Sequence, residues 1–144
     1  MRALSIKQPW LYAIMHLGKQ IENRDWRPPD WIIGERIALH ASARPDTLTA
    51  IASCQKIAGV MLPKNIPMGR ILATAVIVGF VGIDGSGVTN EERRSEVLDD
   101  KWFFGDYGWM LDDVRILETP VPYKGALGLW RCPDIGAAAL GVAA

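Results

Sequence analysis

Lys19, Glu22, Arg24 and Trp26 fall within the short run Gly18–Trp26 and bring together an ammonium, a carboxylate, a guanidinium and an indole. In an extended segment, side chains at i, i+2 and i+4 share a face, so Glu22, Arg24 and Trp26 point together while Ile21 and Asn23 point away. Lys19 arrives from the turn before them. Such a set suits a nucleobase: the carboxylate accepts from exocyclic amines, the cations grip phosphate, and the indole stacks on any base. It also suits hydrolysis, with Glu22 as a base on water and Lys19 steadying the negative charge that develops on an amide or a phosphodiester. The alternative is an edge strand carrying solvated charges that interact weakly.

A second candidate group lies in Ile37–Ser42, where alternation sets Ala38, His40 and Ser42 on the face opposite Ile37, Leu39 and Ala41. On the cleft side, His40 and Ser42 would join Lys19 and Glu22, and a neutral imidazole beside a carboxylate is the ordinary partner for acid–base work near neutral pH. The competing reading is a buried histidine with its hydrogen bonds satisfied.

The elements that must hold these residues are readable in outline. Ala3–Ile6 reads as a strand. Pro9 starts a helix on which Trp10, Ile14 and Leu17 share a face, and Gly18 suits a left-handed cap at its end. Asp46–Ala58 reads as a helix capped by Asp46 or Thr47, followed by a loop to Met68 and a long strand over Arg70–Ile83 with a bend at Gly79. Thr89 with Glu92 forms a capping-box signal for a helix reaching about Leu98. Two final strands, Trp109–Leu117 and Ala126–Arg131, are separated by Pro120–Pro122. Of the tryptophans, Trp10, Trp109 and Trp130 sit in apolar elements and read as core, Trp26 reads as the stacking residue, and Trp31 and Trp102 either rim the cleft or cover the barrel end.

Several ordered blocks resemble the ASCH domain, a member of the PUA-like superfamily. They are Leu4–Trp10 with Lys7 and Gln8, the Gly18-Lys19-x-x-Glu22-x-Arg24 core, Gly34–Ser42, Gly69–Ala75, Tyr107–Leu111 and Gly125–Trp130, spanning roughly residues 2 to 133. The resemblance implies an α+β fold, a small PUA-like β-barrel with flanking helices, and a cleft lined by the Gly18–Arg24 segment. It implies single-stranded RNA or a modified nucleoside as the ligand, with Lys7, Gln8, Arg24, Trp26, His40 and Ser42 as substrate-binding candidates and Lys19 and Glu22 as catalytic ones. Family members include binding modules, single-stranded-RNA nucleases, N4-acetylcytidine amidohydrolases and domains of coactivator proteins, so the resemblance leaves binder, hydrolase and protein-docking module open. The amidohydrolases use a Lys and, three residues on, a nucleophilic Thr. Lys19 matches the first, but Glu22 stands at the Thr position and cannot supply the same alkoxide.

Composition fits one domain over residues 1–134, with a small apolar tail over 135–144 that is either disordered or a short docked helix. The chain of 144 residues is 49% hydrophobic, with 16 basic and 16 acidic residues and a formal net charge of zero. No global field draws it to nucleic acid, so binding must be local; the clustering of Lys7, Lys19, Arg24, Arg27, Arg36 and Arg44 early in the chain allows a positive cleft on a neutral protein. No run is long and apolar enough to span a bilayer, and the expected location is cytoplasmic. Cys54 and Cys132, far apart in sequence, read as buried free thiols in a reducing compartment, with a disulfide between them as the alternative. His16 and His40 lack ligand neighbours, so no metal site and no cofactor is expected, apart from a divalent ion such as magnesium if the chain is a ribonuclease.

Overall fold

In the computed structural model, which describes residues 1–133, Ile135 and Val142–Ala143, two long antiparallel strands form the spine. These are β4 (Arg70–Gly82) and β5 (Tyr107–Pro122). Around them stand β1 (Arg2–Ile6), β2 (Ile21–Arg24), β3 (Arg36–Ala41) and β6 (Leu129–Arg131), in the order β2-β5-β4-β3-β1-β6. Among the described residues only the β1–β3 pairing is parallel. The mixed sheet curls into a half-barrel, an α+β architecture of the expected kind, with β2 and β6 at its two ends rather than joined. Register shifts at Ile71/Ala73, Thr74/Val76 and Ile77/Gly79 bend the spine, the last of them at the glycine where a bend is expected.

Strand β5 differs most from expectation. It continues through the Pro120–Pro122 stretch, which pairs back onto β4 as Ile71↔Val121 and Arg70↔Pro122 after a bulge opposite Ile71/Ala73. Proline cannot donate to a ladder, and the bulge is where it is tolerated. Val142–Ala143 (β7) pairs with Arg115 and Ile116; the rest of the tail, and with it the expectation of disorder or a docked helix, lies outside the described residues.

Among the described residues there are three helices, α1 (Trp10–His16), α2 (Leu48–Ala58) and α3 (Glu91–Leu98), and a 3-10 turn over Asp30–Ile32; α1 and α3 pack on the sheet and α2 packs on α1. Thr47 caps α2, its hydroxyl accepting from the Ala50 amide at 3.1 Å. Helix α3 starts one residue later than the capping-box pattern places it. Asn90 is the cap, accepting from the Arg93 amide at 2.8 Å, which leaves Thr89 and Glu92 out of register for a box. The core is built from Leu4, Ile6, Leu11, Leu39, Ile77 and Trp109, all at most 1% exposed. Cys54 and Cys132 are both buried. Among the described residues no helix is long and apolar enough to cross a membrane.

A candidate nucleobase-binding cavity

Helix α1 and strand β2 are joined by a turn that delivers Lys19 to the interior. Gly18 takes φ +74°, a conformation costly for other residues, and the Lys19 amide then folds back to donate to Ala13 O at 3.2 Å. Lys19 is 1% exposed, among the largest fully buried side chains of the chain. Its Nζ donates to Ile21 O and to Glu22 Oε1 at 3.4 Å, and lies 5.8 Å from the centre of the Trp10 ring. Burial pulls its pKa below the ordinary 10.5, with Glu22 opposing that shift.

Glu22 and Arg24 share a face of β2, as alternation requires. Arg24 Nη2 donates to Glu22 Oε2 at 3.1 Å and to Ser5 O at 2.7 Å, so one carboxylate answers two cations. Arg24 Nε is buried with no hydrogen-bond partner among the described residues. Asn23, on the other face of the strand, donates to Trp102 O at 2.8 Å and accepts from the Phe104 amide at 3.0 Å. It therefore fixes the segment that carries the Phe104 ring.

These groups form the floor of a cavity of about 710 Å³. That lies within the range of small-molecule sites, roughly 300–1,000 Å³. Trp10 and Phe104 supply aromatic surface, their rings 5.3 Å apart, and Asp46 steadies the former by accepting from Trp10 Nε1 at 2.9 Å. The segment from Tyr123 to Gly128 and residues Ser5, Lys7, His40 and Ser42 complete the lining. Four cationic side chains, Lys7, Lys19, Arg24 and Lys124, meet two carboxylates, Glu22 and Asp46. The cavity is thus positive on a chain of zero formal charge.

His40 belongs to the lining but is fully engaged. Its Nε2 lies 2.7 Å from Tyr123 O, a pure acceptor, so Nε2 carries the proton. Nδ1 then accepts from the Ser5 hydroxyl at 3.1 Å, and that hydroxyl in turn accepts from Trp130 Nε1 at 3.0 Å. The chain of donors runs Trp130, Ser5, His40, Tyr123 O without a gap. This is the satisfied, buried histidine of the competing reading, 1% exposed and edge-on to Trp130.

Of the residues singled out in the sequence, Lys7, Lys19, Glu22, Arg24, His40 and Ser42 converge on this cavity. Gln8 and Trp26 do not. Gln8 is 2% exposed; it accepts from the Tyr12 amide at 2.8 Å, satisfying a first-turn donor of α1 that Pro9 cannot reach, and donates to Pro67 O at 3.0 Å. Trp26 fails because β2 ends at Arg24, so the alternation that would turn it toward the cleft stops two residues short. Its ring packs edge-on against Trp109 at 4.7 Å, and its carbonyl accepts from Trp109 Nε1. Trp31 and Trp102 also lie off the cavity, whereas Trp10, read as core, lines it. Phe104, Tyr123 and Lys124 carried no local signal, being brought to the site from loops by long-range pairing.

Among the described residues no group of three or more His, Cys, Asp or Glu is placed to hold a metal. The cavity's carboxylates fit a divalent ion poorly, since Glu22 is matched by two cations and Asp46 is bonded to Trp10 Nε1 and the Thr47 amide.

No family model matches the chain, and no curated protein matches it. Among solved structures, the chain is similar to the crystal structure of ASCH from Zymomonas mobilis. The two share 15% identity with a TM-score of 0.44, over 83% of this chain and 71% of that one.

Proposed function

We propose that the protein binds single-stranded RNA, or a modified nucleoside, by admitting one base into the cavity above Lys19, Glu22 and Arg24. The observation that carries this reading is the pairing of a buried charged floor with aromatic walls in one open cavity. Trp10 and the half-exposed Phe104 offer ring faces for stacking. Glu22 retains lone pairs for an exocyclic amine. Stacking and edge recognition both need a base that is out of a duplex, which favours single strands.

A second reading is hydrolysis in the same cavity, of the acetyl amide of N4-acetylcytidine or of single-stranded RNA. The lowered pKa of Lys19 favours it, because titrating groups shifted by burial and a charged partner inside a cleft mark sites of acid–base chemistry. Glu22 would act as the base on water and Lys19 would meet the developing negative charge.

The test is to incubate the pure protein with labelled single-stranded RNA and with N4-acetylcytidine, each with magnesium and with chelator. Retention without product, preferring single strand over duplex and weakened by Lys19→Ala and by Arg24→Ala, is the expected result. Product that is lost on Glu22→Gln, by about two to four orders of magnitude, supports the hydrolase. Unchanged binding in both alanine variants, with their fold intact by circular dichroism, overturns the assignment of the cavity.

A further inference from the structure

The four cations of the cavity divide into two classes. Lys19 and Arg24 are committed to Glu22, whereas the ammonium groups of Lys7 and Lys124 make no ion pair or hydrogen bond among the described residues, although both line the same cavity and both are exposed. Chain geometry brings them to one edge of it. Lys7 follows Ser5 by two residues, and Lys124 precedes Gly125, whose backbone sits so near Ser5 that a Cβ there would lie 2.6 Å from the Ser5 hydroxyl oxygen. The next residue back, Tyr123, is held by the His40 hydrogen bond to its carbonyl. Lys124 is therefore presented from an anchored segment, beside the end of the strand that leads to Lys7.

We infer that Lys7 and Lys124 form a phosphate clamp at the mouth of the cavity, so that the ligand is a nucleotide, held by its phosphate outside and its base within, rather than a free nucleoside. This rests on the nucleobase reading of the cavity and narrows it. The chemistry matches: an ammonium on a flexible stem is a point charge that suits a phosphate oxygen, and an unpaired one needs no partner broken before it can bind. The floor, in contrast, has both of its cations engaged with Glu22 and is suited to a neutral base. His40, in this arrangement, is a positioning residue for the segment that carries Lys124.

The test compares cytidine and adenosine with their 5′- and 3′-monophosphates and with the trinucleotides rCCC and rAAA, by calorimetric titration of the wild type and of Lys7→Gln/Lys124→Gln. Both lysines are exposed, so the double variant folds. The expected result is that monophosphates bind at least tenfold more tightly than nucleosides. The double variant removes that gap, and it flattens the salt dependence by about one unit of slope for each phosphate it no longer neutralises. Tight binding by the monophosphates points to a free nucleotide as the source, and tight binding confined to the trinucleotides points to a strand; either supports the clamp if the double variant abolishes it. Equal affinity of the wild type for nucleosides, monophosphates and trinucleotides, or a gap that survives in the double variant, overturns the clamp and leaves the base pocket standing. Binding of none of the probes, trinucleotides included, overturns the nucleobase reading and the clamp with it.

Discussion

Lys19 concentrates the chemistry of this chain in one side chain. A fully buried ammonium is costly, and here it is held by one carboxylate that it shares with Arg24, so desolvation outweighs attraction and its pKa falls below 10.5. The consequence for stability has a definite sign. Between the lowered native pKa and 10.5, the unfolded chain holds a proton that the folded chain has released, so stability rises with pH through that window and levels off above it. Each pH unit of the window contributes at most about 1.4 kcal/mol. Urea denaturation of the wild type and Lys19→Met across an alkaline pH series should show the wild type gaining on the variant as pH rises. A difference that is flat with pH would mean that Lys19 keeps its ordinary proton affinity despite its burial.

At the scale of elements, the site is a matter of where strands end and where backbones touch. Strand β2 keeps Glu22 and Arg24 on one face but stops before Trp26, and Asn23 reaches across to fix the Phe104 segment. The segment after β5 is seated by a glycine: at Gly125 a Cβ would lie 2.6 Å from both the His40 ring and the Ser5 hydroxyl. Gly125→Ala should therefore cost about 1–3 kcal/mol by forcing the segment off its seat. It should also weaken ligand binding, read by thermal melts and by titration with a single-stranded oligonucleotide. A variant with wild-type stability and affinity would show that the close approach is not needed. Local pattern made much of this legible. The charged strand, the helix periods, the Gly18 cap and the bend at Gly79 all follow from short-range rules that the fold obeys. The rest depended on distant partners. The bulge in β5 that accommodates Pro120, the one-residue shift that makes Asn90 rather than Thr89 the cap, and the arrival of Phe104, Tyr123 and Lys124 at the cavity are set by pairing across the sheet, which spacing within a segment does not encode.

For the whole molecule, the notable feature is a positive cavity on a chain with no net charge. Long-range steering is then weak, and the proposed binding rests on contacts in the cavity and at its mouth. The distribution of the six tryptophans makes this directly measurable, because Trp10 lines the cavity while Trp26, Trp31, Trp102, Trp109 and Trp130 do not. The protein labelled with 5-fluorotryptophan should give six fluorine resonances, with that of Trp10 assigned by its loss in Trp10→Phe. Titration with a short single-stranded RNA should shift the Trp10 resonance most, with a smaller response at Trp130 through its Ser5 and Tyr123 neighbours, and leave Trp26, Trp31, Trp102 and Trp109 in place. A ligand that binds while the Trp10 resonance stays fixed, or that moves Trp26 or Trp31 instead, would contradict binding in this cavity.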